Sequence, residues 1–336
     1  MDRGKMLWKL DALMMGNRLA AGKAARYLLA GAFLLHLLTQ VAAAADRVRV
    51  VATIPPLHSL VQSVLGETAN ADLLLEQNAT PHSFQLKPSQ VRQLIDADIV
   101  FYISDDMETP LLRAFENLSA TTLKVAMLEQ RGIRKFSIRE NEDWESHVTQ
   151  RENNGRGAEA AHDHSHGDPH IWLSPDNAVA MIKAITRSLS AVNPAGRAIY
   201  KRNAIASIAA IGAAEKRVGT ILSPVKATPY VVFHDAYQYF EFHFGLNPIG
   251  SIVIDPELGA SAKRMVEIRA KIKRKGAVCV FREPQFSTKL SEVAASGSGA
   301  KLAVLDPLGS QLPTGAALYT LLLDDLAQKL SDCLSH

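Results

Sequence analysis

His162, Asp163, His164, Ser165, His166, Gly167, Asp168, Pro169, His170, Ile171, Trp172, Leu173, Ser174 and Pro175 follow one another in a chain of 336 residues and hold four of its eleven histidines. Two kinds of sequence meet here. His162, His164 and His166 alternate in a polar, glycine-containing tract. That composition suits loose metal binding and equally suits a solvated linker. His170 is different. Pro169 fixes its approach, an apolar step follows, and Ser174 and Pro175 supply a helix cap and a first helical position. Imidazole is the commonest protein metal ligand, and a ligand needs such rigid placement.

Upstream, residues 135–169 are dominated by charged and small polar residues. Structureless stretches of this length are functional or disordered, so 135–169 reads as a mobile insertion. Before it, apolar runs at 47–54, 71–75, 98–104 and 123–126 alternate with helical patterns at 57–66, 88–96 and 108–119. After it, helices are expected at 175–191 and from Asn193 and Pro194 to about Leu222. The second is alanine-rich and spans on the order of 40 Å, a strut long enough to cross two lobes. The alternation then resumes, with strands expected at 229–233, 251–254, 277–281 and 302–305 and helices at 236–243, 261–275, 287–295 and 315–331. Strands alternating with helices imply parallel sheets. The fold class is therefore α/β, with a first lobe at 46–192, a linking helix at 193–223 and a second lobe at 224–336.

The N-terminus reads as a secretory signal peptide over residues 1–45. Arg3, Lys5, Lys9, Arg18, Lys23 and Arg26 precede an apolar run from Tyr27 to Leu38, and Ala43 to Ala45 give a small-residue cleavage pattern. The run is shorter than the roughly 20 residues a membrane span needs. These 45 residues hold six of the 37 basic and two of the 34 acidic residues, leaving 31 and 32, a net of −1. The basic balance thus belongs to the leader, and no basic stripe points to nucleic acid. In an exported chain the two cysteines, Cys279 and Cys333, read as a disulfide, with two buried free thiols as the alternative.

Three histidines share a type of position. His82 lies between a strand and a helix, His170 just before a helix, and His234 at a strand end, where open α/β sheets bind ligands. Asp306 ends the last strand in the same way, or else caps a turn before Pro307. Three imidazoles plus a carboxylate or water suit four-coordinate Zn²⁺, although imidazole also suits copper and nickel. His58 reads as a helix-surface residue and His243 as packing against Phe242 and Phe244. No HExxH, GxSxG or phosphate-loop pattern is present. Glu283 is the nearest candidate for the base that a zinc hydrolase would need.

These residues, taken together, resemble a known family. The carriers are Pro81 to Ser89 (PHSFQLKPS), Asp168 to Pro175 (DPHIWLSP), Val232 to Phe240 (VFHDAYQYF), Phe281 to Phe286 (FREPQF) and Leu305 to Gly309 (LDPLG). In this order they resemble the metal-binding receptors of bacterial ABC importers, in the zinc branch of the periplasmic uptake proteins. The resemblance implies two βα lobes joined by one long helix, with Zn²⁺ in the interlobe cleft on His82, His170 and His234. It leaves the fourth position to Asp306 or water, since Pro81 stands where some zinc members have a Glu. Manganese relatives carry Glu where His234 stands. The resemblance also implies a disulfide between Cys279 and Cys333, and an accessory metal loop at His162, His164 and His166. The expected partner is the transmembrane permease of an ABC importer, with an auxiliary metallochaperone as a further candidate and the receptor itself a monomer. The competing expectations are a manganese or iron receptor of the same fold and an exported zinc-dependent hydrolase.

Overall fold

The structure is a computed structural model that describes residues 48–76, 79–139, 144 and 167–335. The expected leader and the histidines at 162, 164 and 166 lie outside the described residues. Among the described residues, no helix is long and apolar enough to cross a membrane.

Among the described residues, two four-stranded parallel sheets form the frame. The first is built from β1 (Val50–Ala52), β2 (Ala71–Leu73), β3 (Ile99–Tyr102) and β4 (Leu123–Ala126), in the order β2-β1-β3-β4. Helices α1 (Pro55–Leu65), α2 (Pro88–Asp96) and α3 (Pro110–Phe115) make its crossovers. The second uses β5 (Tyr230–Val232), β6 (Pro248–Ser251), β7 (Cys279–Arg282) and β8 (Lys301–Val304), in the order β6-β5-β7-β8. Its crossovers are α6 (Gln238–Phe244), α7 (Ala262–Lys275) and α8 (Lys289–Ala295). Each sheet reverses direction beside its first strand, and the crevice at such a reversal, outside the carboxyl ends, is where open α/β sheets place ligands.

The two lobes are joined by α5 (Arg197–Leu222), which follows α4 (Pro175–Val192). Its 26 residues rise about 39 Å. Tyr200, Ala204, Ile211, Ala214, Val218 and Leu222 are its buried residues, spaced three, four or seven apart and so confined to one stripe. The helix packs against α1 and α4 on the first lobe's side and against the last helix, α9 (Leu318–Leu334). Gly66 ends α1 in a positive-φ conformation (61°), which a residue with a Cβ rarely adopts. The bare Cα also leaves room for Asn203 of α5, whose amide donates to Val64 O at 3.0 Å.

One apolar core runs through both sheets. It takes in Val50 and Phe101 from the first, Tyr230, Val232 and Phe281 from the second, and the inner faces of α5 and α9. The alternate residues of the second sheet, Val231, Phe233 and Val280, point the other way and pack with Ile268 and Ile272 of α7 in a smaller core. Side-chain bonds reinforce the junction. Trp172 Nε1 donates to Pro307 O at 2.8 Å, and Tyr319 OH donates to Trp172 O at 2.8 Å. Cys279 of β7 and Cys333 of α9 are disulfide-bonded, as expected.

Two local expectations fail. The strand expected at 251–254 runs instead over Pro248–Ser251. A proline lacks the N–H of a central strand, yet β6 is an edge strand, where proline at the first position is tolerated. His58 is not on a helix surface. It is 8% exposed, with Nε2 2.9 Å from Ala71 O, because α1 is covered on nearly all sides. His243 does pack edge-on against Phe244, with ring centroids 4.7 Å apart, and it also pairs with Glu215 at 2.9 Å.

Candidate metal centre

Three loops bring imidazoles to one point. His82 lies in the connection between β2 and α2, and its N–H donates to Thr80 Oγ1 at 3.2 Å. His170 precedes a buried one-turn 3₁₀ helix, Ile171–Leu173, which runs into α4. Ser174 caps α4 by accepting from Asn177 N, and Pro175 opens it, so the backbone at His170 is fixed from both sides. His234 follows β5, at the sheet reversal between β5 and β7.

His170 Nε2 stands 3.3 Å from His82 Nε2 and 3.3 Å from His234 Nε2. The three candidate ligand atoms all lie within 4.8 Å of one another. Nitrogen ligands at about 2.0–2.1 Å on a tetrahedron stand roughly 3.3 Å apart. The two spacings at His170 are therefore those of tetrahedral edges around a Zn²⁺-sized ion.

Two of the rings are oriented by carboxylates. His170 Nδ1 is 2.8 Å from Asp168 Oδ1, and His234 Nδ1 is 2.7 Å from Glu283 Oε1. A ring that donates Nδ1–H outward turns its Nε2 lone pair inward, which is how proteins fix the tautomer of a ligating histidine. Asp168 and Glu283 are 3% and 2% exposed, and His170 and His234 are 5% and 4%. Burial lowers the proton affinity of all three rings. It takes His82 down to about 2, helped by the neighbouring His170 and His234, and holds His170 well below the ordinary value. At His234 burial is outweighed by the Glu283 carboxylate, which holds the ring above the ordinary histidine value. Of the three rings, His234 is the one whose environment favours the proton, and a cation competes with that proton there. Burial also lifts Asp168 up to about 7, against its hydrogen bond from His170 N and the charge of Arg139.

Asp306 is placed otherwise. Its Oδ1 accepts from Leu308 N at 3.0 Å and Gln285 Nε2 at 2.9 Å, and its Oδ2 from Ser310 N and Oγ at 2.6 Å each. Four donors saturate the carboxylate, and it does not join the three-histidine group found among the described residues. It caps the turn after β8, which the position before Pro307 equally allowed.

The trio opens on a cleft of about 610 Å³ between the lobes, with Asp106, Asp235, Asp255 and Glu257 among its lining residues. Carboxylates at such a mouth favour cations over anions. Glu283, read from sequence as a possible base, is committed to His234. Asp168 was visible as part of a motif, without a role. Arg139, from the segment after β4, gave no sequence signal. Its guanidinium is buried between Asp235 and Glu241, with Nε 2.6 Å from Asp235 Oδ2 and Nη2 2.8 Å from Glu241 Oε2.

The family described as "Zinc-uptake complex component A periplasmic" (ZnuA) matches residues 50–333. A high-affinity zinc uptake system protein ZnuA from Brucella suis is 37% identical over 311 residues, covering 87% of this chain and 93% of the relative. The protein of the same name from Paracoccus denitrificans is 36% identical over 304 residues, with the same coverage. Among solved structures, a crystal structure of ZnuA superposes with a TM-score of 0.70 at 26% identity, covering 86% of this chain and all of the other. A zinc-bound deletion mutant of ZnuA gives 0.70 at 26%, covering 87% and 99%. A manganese-bound periplasmic protein from Candidatus Liberibacter asiaticus, 20% identical with a TM-score of 0.69 over 85% of this chain and 98% of the other, shares the fold.

Proposed function

The chain belongs to the periplasmic zinc-uptake component A family, and on that premise we propose how its own residues serve that role. The protein is a periplasmic zinc receptor that captures Zn²⁺ and delivers it to an ABC importer. We assign the ion to His82, His170 and His234, with Asp168 and Glu283 orienting the last two. Water, rather than Asp306, takes the fourth position. The observation that carries this is the 3.3 Å spacing of inward-turned Nε2 atoms, which matches tetrahedral N-ligand edges.

The family is one of binding receptors, and we read this chain as having no catalysis of its own. A zinc hydrolase needs a base free to activate the bound water, and Glu283 already accepts from His234. Residues 1–45 serve as the export leader, 46–192 and 224–336 as the two lobes, and 193–223 as their link. The permease is the partner that receives the ion. His162, His164 and His166 are assigned to an accessory loop that collects metal loosely, from which an auxiliary metallochaperone would also exchange it.

The test is metal analysis and zinc titration against a competing chelator, on the mature protein and on His82→Ala, His170→Ala and His234→Ala. Each substitution removes one of three protein ligands and is expected to weaken binding by at least 100-fold. Near-unchanged tight binding in all three overturns the assignment. Competition with Mn²⁺ settles selectivity, and preferential Mn²⁺ retention at neutral pH would overturn the zinc reading.

A further inference from the structure

We propose that Arg139 is a positioning residue for metal retention: it clips the first lobe's return segment to the residue that follows His234, and so fixes the spacing of imidazoles drawn from opposite lobes. The proposal rests on the assignment of the trio to zinc.

The clip has two ends. At one, Arg139 grips Asp235 in the two-pronged manner of a guanidinium on a carboxylate, through Nε at 2.6 Å and through Nη2, and Nη2 also reaches Glu241 of α6 at 2.8 Å. The Arg139 side chain is 6% exposed, and Asp235 and Glu241 are 12% and 3%. The Trp144 ring covers the guanidinium, its centroid 3.6 Å from Cζ. Tyr230 OH donates to the remaining Glu241 oxygen at 3.1 Å. At the other end the same segment is tied to the approach of His170. Asp168 N donates to Phe136 O at 2.7 Å. Phe136 N donates to Tyr239 OH at 3.0 Å, and that hydroxyl donates to Asp168 O at 2.8 Å. The Gln238 amide, turned to satisfy its neighbours, donates to Ser137 O and to Asp168 Oδ2.

Residues 136–139 are thus bonded both to Asp168, two residues before His170, and to Asp235, one residue after His234. Arg139 carries the charge that reaches from this segment to Glu241 of α6. Removing one member of a buried ion-paired group leaves its carboxylates uncompensated, a much larger perturbation than losing an exposed pair. Asp235 and Glu241 would then have to shift toward water, and Asp235 would draw the His234 peptide with it. A ligand displaced in this way lets go of metal sooner, whereas the open cleft still admits it. The signature is therefore a faster dissociation rate with an unchanged association rate.

The experiment measures zinc release into excess chelator by stopped flow for wild type, Arg139→Met and Arg139→Lys, with Arg217→Met as the control. Arg217 pairs with Asp324 at 2.7 Å on an exposed face and is not among the residues lining the cleft. Outer-shell changes at metal sites cost about 10–100-fold in affinity, so Arg139→Met is expected to raise the release rate by about 10-fold or more. Arg139→Lys keeps the charge without the fork and should fall between. Arg217→Met should match wild type. Amide exchange on the metal-free protein gives a second readout, in which Phe136 and Asp168 exchange faster in Arg139→Met alone. Release rates in both Arg139 variants within twofold of wild type would overturn the proposal, and so would an equal acceleration in Arg217→Met. If Arg139→Met does not fold, Arg139→Lys decides. Failure of the zinc assignment shows itself separately, as unchanged zinc binding in His170→Ala, and takes the proposal with it. The exchange data would still report whether the clip holds the segment.

Discussion

Replacing Glu283 by Gln tests the metal centre without touching a ligand. The carboxylate accepts from His234 Nδ1 at 2.7 Å and is 2% exposed. Gln keeps the shape and one acceptor oxygen but removes the charge. An ion bonded to the opposite ring nitrogen would sit roughly 6 Å from that oxygen, allowing about 2 Å for the metal–nitrogen bond. Each unit of positive charge that the ion adds there faces the Glu283 carboxylate. At that distance and an effective dielectric of about 20 the interaction is worth about 3 kcal/mol, or about 100-fold in affinity. Loss of ligand basicity at outer-shell positions gives the same range of about 10–100-fold. The substitution also changes the pH profile. In the wild type His234 titrates above the ordinary histidine value because of Glu283. Its proton competes with zinc as pH falls through that raised value, and binding weakens. Without the carboxylate the ring loses the influence that raises it, burial dominates, and the competition moves to lower pH. Chelator competition between pH 6 and pH 8.5 should therefore show weaker binding at pH 8.5 and a flatter fall toward pH 6. An affinity within twofold of wild type at pH 8.5, with the acid-side slope intact, would refute the orienting role of Glu283.

Asp306→Asn should leave zinc affinity within about threefold and lower the melting temperature, because the carboxylate's four donors belong to the turn; a hundredfold loss of affinity would restore it as a ligand. Trp172→Phe removes the donor to Pro307 O and leaves a buried carbonyl unpaired, a loss of about 1–3 kcal/mol readable by urea unfolding. Replacing Cys279 and Cys333 by Ser opens a loop of 54 residues, which is expected to cost about 4 kcal/mol in the chain-entropy model. Unfolding with and without reductant checks this, and a reductant effect that persists in the double variant would contradict it.

Sequence reading reached the three imidazoles because each sits where backbone chemistry announces itself. Ser174 and Pro175 mark a helix start, so His170 could be placed one turn before it. His234 ends an apolar run, and His82 lies between a strand and a proline-opened helix. Asp306 shows where such reading stops. A carboxylate at a strand end looks the same in sequence whether it binds an ion or caps its own turn, and only the positions of Leu308, Ser310 and Gln285 separate the two. β6 lies three residues before the expected strand, starting at Pro248, a position that the pairing order makes an edge. Arg139 was invisible for a different reason. It stands in a polar tract without periodicity, and its partners lie 96 and 102 residues away. Nothing local in a chain encodes a pairing of that reach.

The shared apolar interior has a consequence for how the molecule comes apart. Side chains from the first and second sheets and from α5 and α9 belong to one cluster, so neither half owns a complete interior. α9 ends the described chain, yet Ser59 of α1 receives the N–H of Tyr319 at 2.9 Å and donates to Ala316 O at 3.0 Å. The first described helix is thus finished by the last described one. A growing polypeptide would have to wait for α9 before the first sheet is sealed, and heat should melt both sheets in a single cooperative step.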